Sequence, residues 1–138
     1  MTTLVEATEE IYEYFLANYT GIPTARITAD NESFTPTEGE TWGRLSIIET
    51  DSNQDSHGGV GHRRYKRDGS VFFEISVPAD TGTEDINALA EEARTLLEGV
   101  KLAQSQIWLL GATARRVGPR GMWHKMMVQT RFTYTEIR

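Results

Sequence analysis

Strict alternation of apolar and polar side chains between Val71 and Val77 constrains the fold of this chain more than any other feature. Val71, Phe73, Ile75 and Val77 fall on one face of an extended segment and Phe72, Glu74 and Ser76 on the other, the period-two pattern of a half-buried strand. A second alternation lies near the C-terminus. There Met126, Val128, Thr130, Phe132 and Tyr134 oppose Lys125, Gln129, Arg131 and Thr133. Strands of this kind need a layer to cover their apolar side, and two segments of helical period supply one.

The first, Leu4 to Tyr19, carries Leu4, Thr8, Ile11 and Phe15 on one stripe with glutamates mostly elsewhere. Thr2 or Thr3 can cap it, and Thr20-Gly21-Ile22-Pro23 ends it. The second begins after Pro78-Ala79-Asp80. Thr81 with Glu84 has capping-box spacing, Thr83 is the competing cap, and Ile86, Leu89, Ala90, Ala93, Leu96, Leu97 and Val100 recur at helical spacing, with Gly99 near the end.

The remaining segments read as a weak strand over 24–29, a polar loop over 30–40, and a strand from Trp42 to Glu49. A glycine loop over 51–61 leads back into the strand that ends at Pro78. An apolar strand spans Gln106–Val117, Gly118-Pro119-Arg120-Gly121 is a turn, and the last strand spans Met122–Ile137. The predicted fold is therefore α+β, one domain over 1–138 in the order α-β-β-β-α-β-β. Its sheet is mainly antiparallel with both helices on one face, and hairpin arms extend near 50–67 and 115–122.

The chain has no cysteine, which excludes disulfides and thiolate metal sites. No apolar run approaches the roughly 20 residues that span a bilayer, and the start MTTLVEATEE is acidic where a secretory signal is cationic, so neither membrane insertion nor targeting is expected. The net charge of −6 is divided unevenly. Residues 1–60 hold 11 acids against Arg26 and Arg44, a balance of −9, whereas residues 61–138 hold 12 Lys or Arg against 9 acids, a balance of +3. Such a division lets copies complement each other head to tail, although exposed charges are also the ordinary covering of a soluble surface.

Catalytic and cofactor patterns are not found. His57 and His62 lack a placed third metal ligand, and His124 shares a strand face with Met126 and Val128, as a packed histidine would. Asp51-Ser-Asn53-Gln-Asp55 opens like a calcium loop but has Ser56 and His62 where glycine and glutamate are required. The glycines at 58–61 lack the nucleophile elbow of an esterase, the Gly-Lys-Ser/Thr of a P-loop, and the strand-to-helix setting of a dinucleotide site. No cofactor is expected.

One cluster stands out. Gly58, Gly59 and Gly61 lead into Arg63, Arg64, Tyr65, Lys66 and Arg67, an exposed basic arm to which Arg115, Arg116 and Arg120 of the second hairpin are able to add. Cations flanking an aromatic suit nucleic acid, while the acidic whole repels it, so a protein-contacting loop and a nucleic-acid module both stand at this point. A small hydrolase with an unrecognised site is a weaker third. Trp42 suits either a core position or an interface anchor.

The order of these elements resembles the tail terminator, or tail-completion, proteins of long-tailed bacteriophages and prophages. The likeness rests on an amphipathic first helix, Phe34-Thr-Pro36 leading to Trp42-Gly-Arg44-Leu45, and the arm Gly58 to Tyr65. Val71 to Thr83, the second helix and the closing strand Trp123 to Tyr134 complete it. The resemblance implies a non-enzymatic virion protein, assembled in the host cytoplasm and located at the head–tail junction. It implies a homo-oligomeric ring, hexameric in this family, that ends tail-tube polymerisation, meets the tail tube protein and the head–tail connector protein, and lets DNA pass its lumen without sequence-specific binding. A neighbouring head–tail joining ring protein is the alternative within that setting. The two arms and Trp42 then become candidate ring contacts, with the glycine and arginine arm loose in a free subunit and ordered by a neighbour.

Overall fold

The computed structural model describes residues 3–30, 32–80, 82, 84–102 and 106–138. Helix α1 spans Leu4–Asn18, a 3-10 turn covers Thr24–Arg26, and β1 spans Ile27–Ala29. Strands β2 (Trp42–Gln54) and β3 (Arg64–Pro78) come next, then α2 (Glu84–Leu97), β4 (Val100–Leu102), β5 (Ile107–Arg120) and β6 (Trp123–Ile137). The fold is α+β, as expected.

The six strands form one sheet in the order β1-β2-β3-β6-β5-β4. Every neighbouring pair is antiparallel except β1 with β2, which run parallel, so the sheet is mixed. Strand β4 was not anticipated, and it takes Val100, which the helical spacing had assigned to the second helix; α2 ends at Leu97. The three residues of β4 are too few to show a period, and only pairing with Ile107–Leu109 makes them a strand.

Both helices cover one face. Val71, Phe73, Ile75 and Val77 meet Leu45, Val128, Phe132, Ile107 and Leu109 in one core beneath Ile11, Phe15, Ile86, Ala90, Ala93 and Leu97. Phe15 is wholly buried, with its ring centroid 4.6 Å from that of Phe73, and burial of this size contributes ~2–3 kcal/mol. The first helix uses Ala7 where the sequence suggested Leu4. Leu4, in the first turn of the helix, is half exposed and lines a cleft with Glu49, Arg67 and Glu136.

Side-chain caps and clamps close the helix ends. Thr3 caps α1, its hydroxyl accepting from the Glu6 backbone N–H at 3.2 Å; the alternative cap Thr2, and both Thr81 and Thr83 before α2, lie outside the described residues. Beyond α1, the Glu92 carboxylate accepts from the Thr20 N–H (3.2 Å), the Gly21 N–H (2.9 Å) and the Thr20 hydroxyl (2.5 Å). That clamp ties the end of one helix to the middle of the other.

Two strands are longer than the sequence suggested. The loop between β2 and β3 shrinks to residues 55–63, because Asp51 to Gln54 pair with Asp68 to Tyr65 past a bulge at Thr50. The ladder overrides polar composition there, since backbone groups gain partners whatever the side chains are. Strand β5 likewise continues through Gly118-Pro119-Arg120, which was expected to be a turn. A bulge between Arg116 and Gly118 absorbs the irregularity, and Gly118 takes φ +95°, a region open to glycine.

Candidate assembly surface

The two basic arms lie at opposite ends of the sheet. Arg64 pairs with Ile137 at one end of the β3–β6 ladder and Pro78 pairs with Trp123 at the other. Fourteen residue steps at ~3.3 Å separate them by roughly 45 Å. The expectation that Arg115, Arg116 and Arg120 add to the surface of the glycine arm is therefore corrected. Antiparallel connection places the β2–β3 and β5–β6 hairpins at opposite ends once β6 pairs with β3.

At the first end, Gly58, Gly59 and Gly61 form the exposed tip. The base of the arm is anchored: the Arg63 N–H donates to the Arg138 carbonyl at 3.1 Å and the Arg138 N–H to the Arg63 carbonyl at 2.8 Å. An arm loose from Arg64 onward is thus corrected to a strand held in the sheet. Its cations differ in availability. Arg64 Nε is 2.7 Å from Asp55 Oδ1, and Arg67 is drawn into a pair with Glu136 while stacking over Tyr65 at 4.7 Å. Lys66 has no carboxylate partner among the described residues, whereas Arg63 Nε donates to the Arg138 main-chain oxygen at 3.3 Å.

At the other end only Arg120 stands beside the tight turn Gly121–Met122. Arg115 and Arg116 lie within β5, paired with Met127 and Met126, and their exposed side chains point to opposite faces of the sheet. Trp42 is buried, yet outside the helix-covered core. Its ring sits on the open face between Phe34 (5.3 Å) and Trp123 (6.1 Å), under Lys125 Nζ at 4.9 Å, and Lys125 bonds Glu74 at 3.1 Å. Packed inside its own subunit, Trp42 offers little area to a neighbour.

Glu136 escaped sequence reading. It sits in a C-terminal segment, TEIR, with nothing to mark it, and only the register of β6 against β3 brings it to Arg67, while Arg138 lies two positions along the same chain. These charges, with Glu49, line a cleft of about 360 Å³ beside the first residues of α1. Burial and the nearby carboxylates of Glu49 and Glu136 push the Tyr134 phenol up to about 12, partly offset by Arg67 and Arg138. Among the described residues no group of three or more His, Asp or Glu is placed to hold a metal ion, and no helix is long and apolar enough to cross a membrane.

No protein-family model matches this sequence, and no curated protein matches it. Solved structures do. One, whose name states no activity, is 14% identical with a TM-score of 0.64 over 92% of this chain and 94% of its own. At that identity the likeness extends to the fold alone.

Proposed function

We propose that this chain is a structural assembly subunit of the tail-terminator type, forming a hexameric ring at the end of a phage tail tube and joining it to the head connector. The observation that supports this reading most is the placement of two exposed hairpin ends at opposite poles of one rigid sheet. A subunit of a ring stacked between two others has to reach in both axial directions, and hairpins at both poles do so without disturbing the core. The uneven charge suits head-to-tail closure, in which each copy presents its acidic side to the basic side of the next.

A nucleic-acid module gains no observation of its own. Arg64 and Arg67 are neutralised within the subunit, and the remaining cations are split between two distant ends. The test is native mass spectrometry and negative-stain imaging of the purified protein, alone and with tail tubes. A ring of about six copies, alone or on the tube end, is expected from the family likeness. A monomer that ignores tail tubes and instead shifts a DNA probe with steep salt dependence would overturn the reading.

A further inference from the structure

Each outer edge of the sheet is covered over only part of its length. On one side β1 pairs with Gly43–Leu45, so among the described residues the outward edge of β2 from Ser46 to Gln54 has no strand beside it. On the other side β4 pairs with Ile107–Leu109 and the Gly99 N–H donates to the Leu110 carbonyl at 3.1 Å, so among the described residues β5 has no strand beside it from Gly111 to Arg120. Unpaired edges of this length present rows of free N–H and C=O groups and invite another strand.

The two gaps are complementary. Cross-strand register carries Ile27 of β1 through Gly43, Ile75 and Met126 to Arg116, and Ala29 through Leu45, Phe73 and Val128 to Ala114. Strand β1 therefore lies at the height where β5 is bare. Register likewise carries Lys101 of β4 through Trp108, Thr133 and Asp68 to Asp51, at the height where β2 is bare. Because β1 is parallel to β2, and four antiparallel steps separate β2 from β4, the two short strands also run the same way. A second copy set beside the first without axial shift brings β1 of one and β4 of the other end to end in a single strand position.

Charge agrees with this fit. The β1–β2 edge carries Asp30, Glu32, Glu49 and Asp51 against Arg44, with Glu32 already accepting from the Ala29 N–H at 2.7 Å, while the β4–β5 edge carries Lys101, Arg115, Arg116 and Arg120. Lys101, Arg115 and Arg116 have no carboxylate partner within the subunit among the described residues. In the unshifted arrangement Lys101 of one copy stands directly beside Asp51 of the next.

We infer that copies of this chain join edge to edge, the β4–β5 edge of one taking the β1–β2 edge of the next, so that the six-stranded sheets continue into one another. The contact is heterologous, and its closure into a ring rests on the function proposed above. Within one copy, Asp51 and Lys101 are four strand spacings of ~4.8 Å apart, ~19 Å, well beyond the ~7 Å limit for a disulfide. The chain contains no cysteine to confuse a cross-link.

The test uses Asp51→Cys and Lys101→Cys, both at exposed positions, with thermal melting to show that each variant is folded. Oxidation of their mixture gives a reducible heterodimer that neither variant gives alone, and the chain carrying both substitutions gives a reducible ladder. A ladder ending at the mass of the native ring supports edge pairing and ring together; one that grows without closing supports edge pairing and overturns the ring. A native ring with no heterodimer overturns edge pairing and leaves the ring standing. Dimers from either variant alone indicate a two-fold contact and overturn the proposal, and absence of both cross-link and ring, with and without tail tubes, overturns both.

Discussion

Arg67 Nη2 lies 3.3 Å from Glu136 Oε2 across the β3–β6 ladder, both side chains largely shut off from water, and Arg138 Nε reaches the other Glu136 oxygen at 3.2 Å. Arg67 also donates to the Ser52 hydroxyl, which ties β2, β3 and β6 together at one height. Removing one partner strands the other as an uncompensated buried charge. Glu136→Ala is expected to cost ~3–5 kcal/mol in urea unfolding, and the double change Arg67→Met with Glu136→Leu considerably less.

Gly69 is required by space. A Cβ there would meet both the Phe132 ring and the Ile48 carbonyl oxygen, and the second, being backbone in the adjacent strand, has little room to withdraw. Gly69→Ala is expected to destabilise by ~1–3 kcal/mol, and shrinking the ring with Phe132→Leu restores only part of it. Thermal melting of the single and double variants measures this.

Tyr134 couples stability to alkaline pH. Its phenol is raised from 10.0 to about 12, first by burial and then by Glu49 and Glu136, so the folded state holds this proton more tightly than the unfolded chain. The associated stability is complete below pH 10 and is lost as pH rises through 12. Its hydroxyl finds no partner among the described residues, so Tyr134→Phe should change stability near neutrality by less than ~1 kcal/mol while flattening the alkaline loss. Tyr19→Phe behaves differently, because that hydroxyl donates to the Leu89 carbonyl at 3.0 Å and its loss costs ~1 kcal/mol already at neutral pH. Chemical denaturation between pH 7 and 12 separates the two.

The arm separates folding from assembly. Replacing Lys66 by Glu touches an exposed cation with no carboxylate partner among the described residues, so the melting temperature should stay within a few degrees, since exposed substitutions rarely exceed ~0.5 kcal/mol. On the proposed function, joining to tail tubes is lost or weakened. Arg67 is unsuited to this experiment, because its replacement by Glu would unfold the base of the arm. Tube-end occupancy in negative stain is the readout, and full occupancy by the variant would remove the arm from the assembly account.

Much of the architecture was legible because it is periodic. Val71 to Val77, Met126 to Tyr134 and the α2 stripe each repeat a local rule often enough to reveal both element and buried face. Boundaries were less legible where side chains and backbone disagree. Asp51 to Gln54 look like loop yet pair as strand, and Gly118 to Arg120 look like a turn yet continue β5 past a bulge. Within the candidate surface, the exposed glycines and Arg63 could be named in advance, whereas the enclosure of Arg67 by Glu136 could not.

The amino-acid sequence by itself determined the α+β class, the helix-facing residues of the long strands and the imbalance of charge, because each depends on composition or on spacing within a single element. Only the tertiary structure decided that the arms stand at opposite poles and that Trp42 packs on the open face. It also placed Lys101 and Asp51 in one row on opposite edges. Those relations depend on which strands become neighbours and in what register, and pairing such as that of β3 with β6, between residues 45 to 73 positions apart, is set by the energy of the whole sheet and core.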